Sequence, residues 1–146
     1  MTAAAGLPFP AGMRLLLAHK QKTSARVRFF RFAHGLAAFE PLPALSSTLD
    51  APPANPVEHH PGVYLRAAEA RLGLASGGLA LEAEFNAGVD TPDGPLQVRL
   101  ATFTSIDPPF EIAERLGGRF IAITEARGCA PAELELLRQA YTVLMG

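Results

Sequence analysis

The chain has 146 residues, of which 49% are hydrophobic and 18% are charged, and its formal net charge is −1. This length suits one domain that folds without a disulfide or a metal, and the apolar fraction excludes an intrinsically disordered chain. Apolar runs are far shorter than the ~18 residues of a membrane span, no signal peptide is apparent, and a single cysteine fits a reducing compartment. We therefore expect a cytoplasmic protein without membrane contact, and the abundance of Ala, Gly, Pro and Arg indicates a GC-rich bacterial genome.

The charges are divided unevenly along the chain. The first 39 residues contain six basic residues and no acidic one, whereas acids outnumber bases fourteen to seven from Glu40 onward. Such a split can mark a surface that binds an acidic partner, or the two parts can neutralise each other within one fold. Internal neutralisation is the simpler interpretation.

The first part of the chain has weak structural signals. Residues 1–12 are predicted to be a loose lead-in, and residues 13–18 a short buried strand. Residues 26–32 begin with strand-like alternation and then slip phase, so strand and amphipathic helix both stay open. Residues 40–61 carry six prolines, which neither a helix nor a central strand can accommodate. We expect this segment to be a surface excursion of a single domain.

From residue 61 onward the local signals are stronger. Pro61 predicts the start of a helix that runs to Leu72 and stops at Gly73. Residues 79–86 alternate between apolar and polar types, as in a half-buried strand, and a turn at residues 91–94 leads into a second strand over 96–104. These two strands are predicted to form a hairpin.

The last third of the chain predicts two more helices and a strand. Asp107 before two prolines is typical of a helix N-cap, and that helix should end at Gly117. Residues 119–125 are predicted to be a central strand, and Pro131 to open a final helix with Glu133 on its outer side. The core should include the apolar faces of these elements: Leu81, Phe85, Ile121, Ile123, Leu134, Leu137 and Tyr141.

The element order predicts an α+β fold that spans residues 1–146 as one compact domain. An antiparallel hairpin is combined with βα units. With residues 13–18 as the first strand, the order approximates a split β-α-β ferredoxin-like sheet with an added C-terminal helix.

Cys129 is the candidate catalytic residue. It lies beside Arg127 and just before the predicted last helix, where free N–H groups and the helix dipole favour a thiolate and can hold an anion. A nucleophilic cysteine also needs a base, which only the fold can bring near. The alternative is a small apolar packing residue. Arg127 and Asp107, beside the N-termini of the two predicted helices that follow strands, are the candidate anion- or ligand-binding residues, although an N-cap role would explain Asp107 fully.

His59 and His60 are the candidate metal ligands, because imidazole binds transition metals and a loop can wrap around an ion. Adjacent histidines seldom face one metal together, so a polar loop end is the simpler interpretation. Neither a phosphate-binding loop nor a dinucleotide fingerprint occurs in the sequence. We therefore expect no cofactor.

Arg26, Arg28 and Arg31 are the candidate partner-binding residues, and they are interleaved with Phe29, Phe30 and Phe32. Such a pattern can serve RNA, but a sequence pI of about 6.4 argues against dedicated nucleic-acid binding. The leading hypothesis is a non-catalytic binding or accessory module that contacts an acidic protein partner, or a second copy of itself, through this basic region. The alternative is a small enzyme or ligand-binding domain with its site at Cys129, which a histidine-lined pocket there would favour.

Overall fold

The computed structural model describes residues 10–53 and 60–146, so parts of the predicted lead-in and of the proline-rich segment lie outside it. The described residues form six strands and three α-helices. In chain order they are β1 (Met13–Lys20), β2 (Val27–Arg31), β3 (Ser47–Thr48), α1 (Pro61–Leu72), β4 (Leu79–Thr91), β5 (Gly94–Phe103), α2 (Phe110–Arg115), β6 (Arg119–Ile121) and α3 (Pro131–Met145).

The strands form one mixed sheet in the order β3-β4-β5-β1-β2-β6. The β1–β5 pair is parallel and the other neighbouring pairs are antiparallel. Helix α3 packs on one face of the sheet, and α1 and α2 pack on the other. The predicted α+β class is confirmed. The ferredoxin-like arrangement is not confirmed, because β1 pairs with β2 across a short turn without an intervening helix.

Within residues 26–32, for which strand and helix both stayed open, Val27–Arg31 form strand β2. Val27 and Phe29 pack on the α3 face, while Phe30 packs on the opposite face. The phase slip in the sequence therefore reflects a strand that is buried on both of its faces. Such a strand has apolar residues on successive positions rather than on alternate ones.

Helix α1 has the predicted ends. Pro61 lies at the first helical turn, and Gly73 has a left-handed φ of 77° at the C-terminus. There the amide of Leu74 donates to the carbonyl of Glu69 at 2.8 Å, which is the hydrogen bond of a Schellman stop. Tyr64 and Leu72 are buried as the helical spacing indicates.

The hairpin β4–β5 is present, with its turn at Thr91–Gly94, but its first strand does not keep one phase. Leu81 pairs with Ala101 and Asn86 pairs with Arg99. Between these two pairs β4 advances by five residues while β5 advances by two, so β4 contains a bulge. This bulge reverses the side-chain alternation. Leu81 consequently packs toward α1 and α2, whereas Phe85 packs under α3.

Two predictions for the last third are wrong in detail. The strand predicted over 119–125 is shorter, because Ile123–Glu125 forms a 3-10 helix. It also lies at the edge of the sheet, beside β2, and not at its centre. The Ala122 amide donates a hydrogen bond of 2.8 Å to the Glu125 carboxylate, which stabilises the 3-10 helix. Asp107 does not cap α2, whose N-cap is Pro109.

Helix α3 is rotated relative to the prediction, and Glu133 is buried rather than outside. The buried face carries Ala132, Glu133, Leu136, Leu137, Ala140 and Leu144. Of the predicted core, Phe85, Ile121 and Leu137 are buried, while Leu81, Ile123, Leu134 and Tyr141 are partly buried. Glu133 tolerates burial because two backbone amides donate to its carboxylate.

The described part of the proline-rich segment runs along strand β4. Strand β3 pairs with β4, and the Leu49 amide donates to the Gly88 carbonyl at 2.9 Å. This excursion therefore adds an edge strand to the sheet.

Among the described residues, no helix is both long and apolar enough to cross a lipid bilayer.

Candidate functional sites

The first candidate site is a hollow of about 610 Å³ at the ends of strands β1 and β5. We call it the basic hollow. Because β1 and β5 are parallel, their carboxyl ends meet at one edge of the sheet, where the β1–β2 turn and the β5–α2 connection form its walls. Its lining includes Lys20, Lys22, Glu82, Phe103, Ile106 and Leu144.

Two cations at the strand ends beside the β1–β2 turn, Lys20 and Arg28, donate hydrogen bonds to neutral groups. The Lys20 ammonium donates to the Leu144 carbonyl at 2.6 Å, at the C-terminal end of α3, where the helix dipole favours a positive charge. The Gln21 side chain accepts from Arg28 at 3.3 Å and donates to the Asp107 carboxylate at 3.1 Å. Gln21 therefore lies between the charges of Arg28 and Asp107.

Two large apolar side chains are exposed beside this turn. Ile106 is 86% exposed on the rim of the basic hollow, and Phe110 is 55% exposed at the start of α2. The Arg28 guanidinium lies over the Phe110 ring, 5.8 Å from its centroid. Exposed apolar groups rimmed by polar and charged ones are typical of interaction surfaces.

Direct ion pairing between the basic first part and the acidic remainder is sparse. Within residues 10–53 and 60–146, one salt bridge joins the two parts, from Arg14 to Glu40 at 3.5 Å. The Lys22 and Arg26 side chains are exposed. Internal neutralisation through contact pairs therefore accounts for little of the charge split in the described structure.

The three candidate arginines do not form one patch. Arg26 belongs to the β1–β2 turn, and Arg28 lies on the α2 side of the sheet. Arg31 is three positions further along β2 and so lies on the opposite face, where its guanidinium donates to the Arg127 carbonyl at 3.1 Å. Arg28 is linked to the basic hollow through Gln21 of its lining, and neither Arg26 nor Arg28 lines the hollow itself. Arg31 lines a second site, beside which the Arg127 carbonyl accepts its hydrogen bond.

That second site is a hollow of about 640 Å³ at the N-terminal end of α3. We call it the cysteine hollow. Cys129, Arg31, His34 and Glu133 line it, and Leu45, 90% exposed, lies on its rim. Residues of β2, the following loop, the proline-rich segment and α3 thus meet around the predicted cysteine.

The electrostatics of the cysteine hollow do not favour a thiolate. Burial raises the pKa of the Cys129 thiol above its ordinary value, and the Glu133 carboxylate raises it further. The Arg31 guanidinium lowers this pKa but does not outweigh burial. The expected depression of the pKa by the helix N-terminus is therefore wrong.

Of the histidines in the described part of the chain, His34 lines the same hollow as Cys129. Its Nε2 lies 2.6 Å from the Ala37 carbonyl oxygen, which can only accept, so Nε2 donates this hydrogen bond, and the ring stacks on Phe32. No hydrogen bond joins its ring to the Cys129 thiol in the described part of the chain. The arrangement thus lacks the contact that would make His34 a base for Cys129.

The remaining histidines have other positions. His19 is fully buried on the face of β1 that Leu15 and Leu17 share, across the sheet from Cys129, with its Nε2 2.9 Å from the Ser105 carbonyl. His60 caps α1, since its Nδ1 accepts from the Gly62 amide at 3.0 Å. His59, the other candidate metal ligand, lies outside the described residues. No cluster of three His, Cys, Asp or Glu side chains that could hold a metal occurs in the described ranges.

Sequence reasoning missed two contributors to these sites. Ile106 interrupts a polar stretch of residues 104–107, and an apolar residue in such a stretch is a usable signal of an exposed contact residue. Glu133 carried no such signal, because its burial depends on a loop 97 positions away.

Comparison with known proteins does not assign the chain to a family. No protein-family model matches it, and no curated protein sequence matches it.

Proposed function

We propose that this chain is a non-catalytic binding module, which contacts an acidic protein partner through the basic hollow and the cations of the β1–β2 turn. The observation that carries the proposal is the set of exposed cations, Lys22 and Arg26, beside a hollow with Ile106 on its rim. Surface cations without carboxylate partners attract acidic proteins and speed their association.

A matched pair of charge reversals tests this function. Lys22→Glu/Arg26→Glu changes two exposed cations of the turn, and Arg66→Glu/Arg119→Glu makes the same change of net charge at exposed cations elsewhere. The probe is a fluorescein-labelled synthetic peptide of mixed Asp and Glu residues, followed by fluorescence anisotropy. We expect the first variant to lose about tenfold or more in affinity and the second to lose little.

Salt and self-association complete the test. Binding should weaken as ionic strength rises through ~0.1 M, where the screening length is about 10 Å. Light scattering over the same salt series reports whether the chain associates with itself. A monomer at every salt concentration that does not bind the peptide, or equal losses in the two variants, would overturn the proposal. Salt-sensitive dimers that only the turn variant disrupts would make a second copy the partner.

A second candidate function is small-ligand binding in the cysteine hollow. It is favoured by the convergence of Arg31, His34 and Cys129 around a hollow of about 640 Å³, a volume within the range of ligand sites, about 300–1,000 Å³. A guanidinium beside a helix N-terminus suits a small anion. Titration with small carboxylates and inorganic phosphate, followed by NMR, should then shift the Gly128 and Cys129 amide signals in the wild type and not in Arg31→Gln. Unchanged spectra would exclude this candidate for those ligands.

A further inference from the structure

We infer that the partner segment bound by the basic hollow is an acidic peptide that inserts one large apolar side chain between Ile106 and Leu144. This inference rests on the proposed function and specifies its ligand.

Part of the lining of the basic hollow is apolar. Phe103 and Leu144 are buried and contribute to its walls, while Ile106 projects from the β5–α2 connection. An isoleucine at 86% exposure leaves apolar surface in contact with water, and an apolar side chain of a partner would cover it.

The shape of the site favours a side chain over a flat contact. A hollow of about 610 Å³ holds a large side chain together with its adjoining backbone. Proteins bind anchor residues in concave sites with apolar surface, and Phe103, Ile106 and Leu144 supply that surface here among polar neighbours.

The charges around the hollow define what flanks this anchor. Lys20 and Lys22 line it, and Arg26 lies in the β1–β2 turn. Arg28 follows in β2, where its guanidinium donates to the Gln21 side chain of the lining at 3.3 Å. Among the described residues that line the hollow, Glu82 is the acidic one. Acidic groups of the ligand should therefore lie away from Glu82. A peptide with Asp or Glu on both sides of an apolar residue matches this distribution of charge.

Two labelled peptides test the inference with the full-length chain. One is a short run of Asp and Glu with a central Leu, and the other carries Ser in place of that Leu. We expect the Leu peptide to bind the wild type about tenfold more tightly, since burial of one large apolar side chain accounts for a difference of this size. Ile106→Ser should remove most of this preference, whereas Leu45→Ser, at an equally exposed leucine on the cysteine hollow, should leave it unchanged.

The outcomes separate this inference from the proposed function. Equal affinity for both peptides, or no effect of Ile106→Ser, would overturn the inference while salt-sensitive binding left the proposed function standing. Binding of neither peptide would overturn both. In another outcome, the chain binds neither peptide but binds phosphatidylserine vesicles or single-stranded RNA in a way that Ile106→Ser abolishes. That result would identify the ligand of the hollow as a membrane or a nucleic acid instead of a peptide. Self-association abolished by Ile106→Ser would replace it by a second copy of the chain.

Discussion

The Leu36 amide donates a hydrogen bond of 2.7 Å to Oε2 of Glu133, a residue 97 positions further along the chain. The Ala37 amide donates to the same oxygen at 3.3 Å. One buried carboxylate on α3 thus satisfies two amides of the loop that follows β2, and this loop forms a wall of the cysteine hollow. Glu69 on α1 does the same for the Gly77 and Leu79 amides, at 3.0 and 3.1 Å.

The first prediction concerns Glu133. Glu133→Ala should lower the free energy of unfolding by about 1–3 kcal/mol, because two buried amides lose their acceptor. Glu133→Gln retains one side-chain oxygen that can accept from these amides, so this variant should lose less stability. Glu135→Ala is the control on the same helix, since Glu135 forms an exposed ion pair with Arg138 that contributes at most about 1 kcal/mol. Urea unfolding measures all three, and equal losses for Glu133→Ala and Glu135→Ala would contradict the role of the buried carboxylate.

The second prediction concerns the buried face of α3. Leu137 is 1% exposed, so Leu137→Ala should destabilise the fold by about 2–5 kcal/mol. Leu134 is only partly buried, and Leu134→Ala should lose clearly less. Urea melts of both variants check the rotation of the helix, and the reverse order would place Leu134 at its centre.

The third prediction concerns the reactivity of Cys129. Because burial raises the pKa of its thiol, Cys129 should react with iodoacetamide at pH 8 more slowly than glutathione does. Arg31→Gln removes the charge that lowers this pKa and should slow the reaction further. Mass spectrometry of the labelled chain follows the rate. Labelling as fast as that of the free thiol would show that the folded state stabilises the thiolate.

The fourth prediction is a loss of stability at alkaline pH. Burial raises the pKa values of Tyr64 and Cys129 above their ordinary values of 10.0 and 9.0. As pH rises through those values, the unfolded chain releases these protons first, so the folded state binds more protons and the free energy of unfolding falls. Urea unfolding at pH 7 to 10 should record this fall, and Tyr64→Phe should make it shallower. Stability that rises over this range would contradict the direction of both shifts.

The fifth prediction tests how the proline-rich segment contacts the sheet. A Cβ atom at Gly88 would lie 2.7 Å from the Ala51 carbonyl oxygen, which is closer than atoms approach without movement. Gly88→Ala should therefore displace residues 49–53 and speed hydrogen exchange at the Leu49 amide. Gly12→Ala, where no atom lies within 4 Å, is the control. Unchanged exchange in Gly88→Ala would mean that the segment adjusts without leaving β4.

Local signals in the sequence were enough to predict the ends of α1 and the turn of the β4–β5 hairpin. Pro61, Gly73 and the turn at Thr91–Gly94 act through their own backbone preferences and through hydrogen bonds to residues a few positions away. The α+β class follows from the same local patterns. The basic character of the first 39 residues and the position of Cys129 before the last helix were also evident from the sequence.

Tertiary contacts decided the rest, because the features concerned depend on residues that are distant in the chain. The bulge in β4 is defined only against β5, and the buried position of Glu133 requires the loop amides of Leu36 and Ala37. Strand β2 places Arg28 and Arg31 on opposite faces of the sheet, so the basic segment does not form one patch. A local pattern specifies which residues alternate, but the face that each residue meets depends on how the sheet and helices pack together.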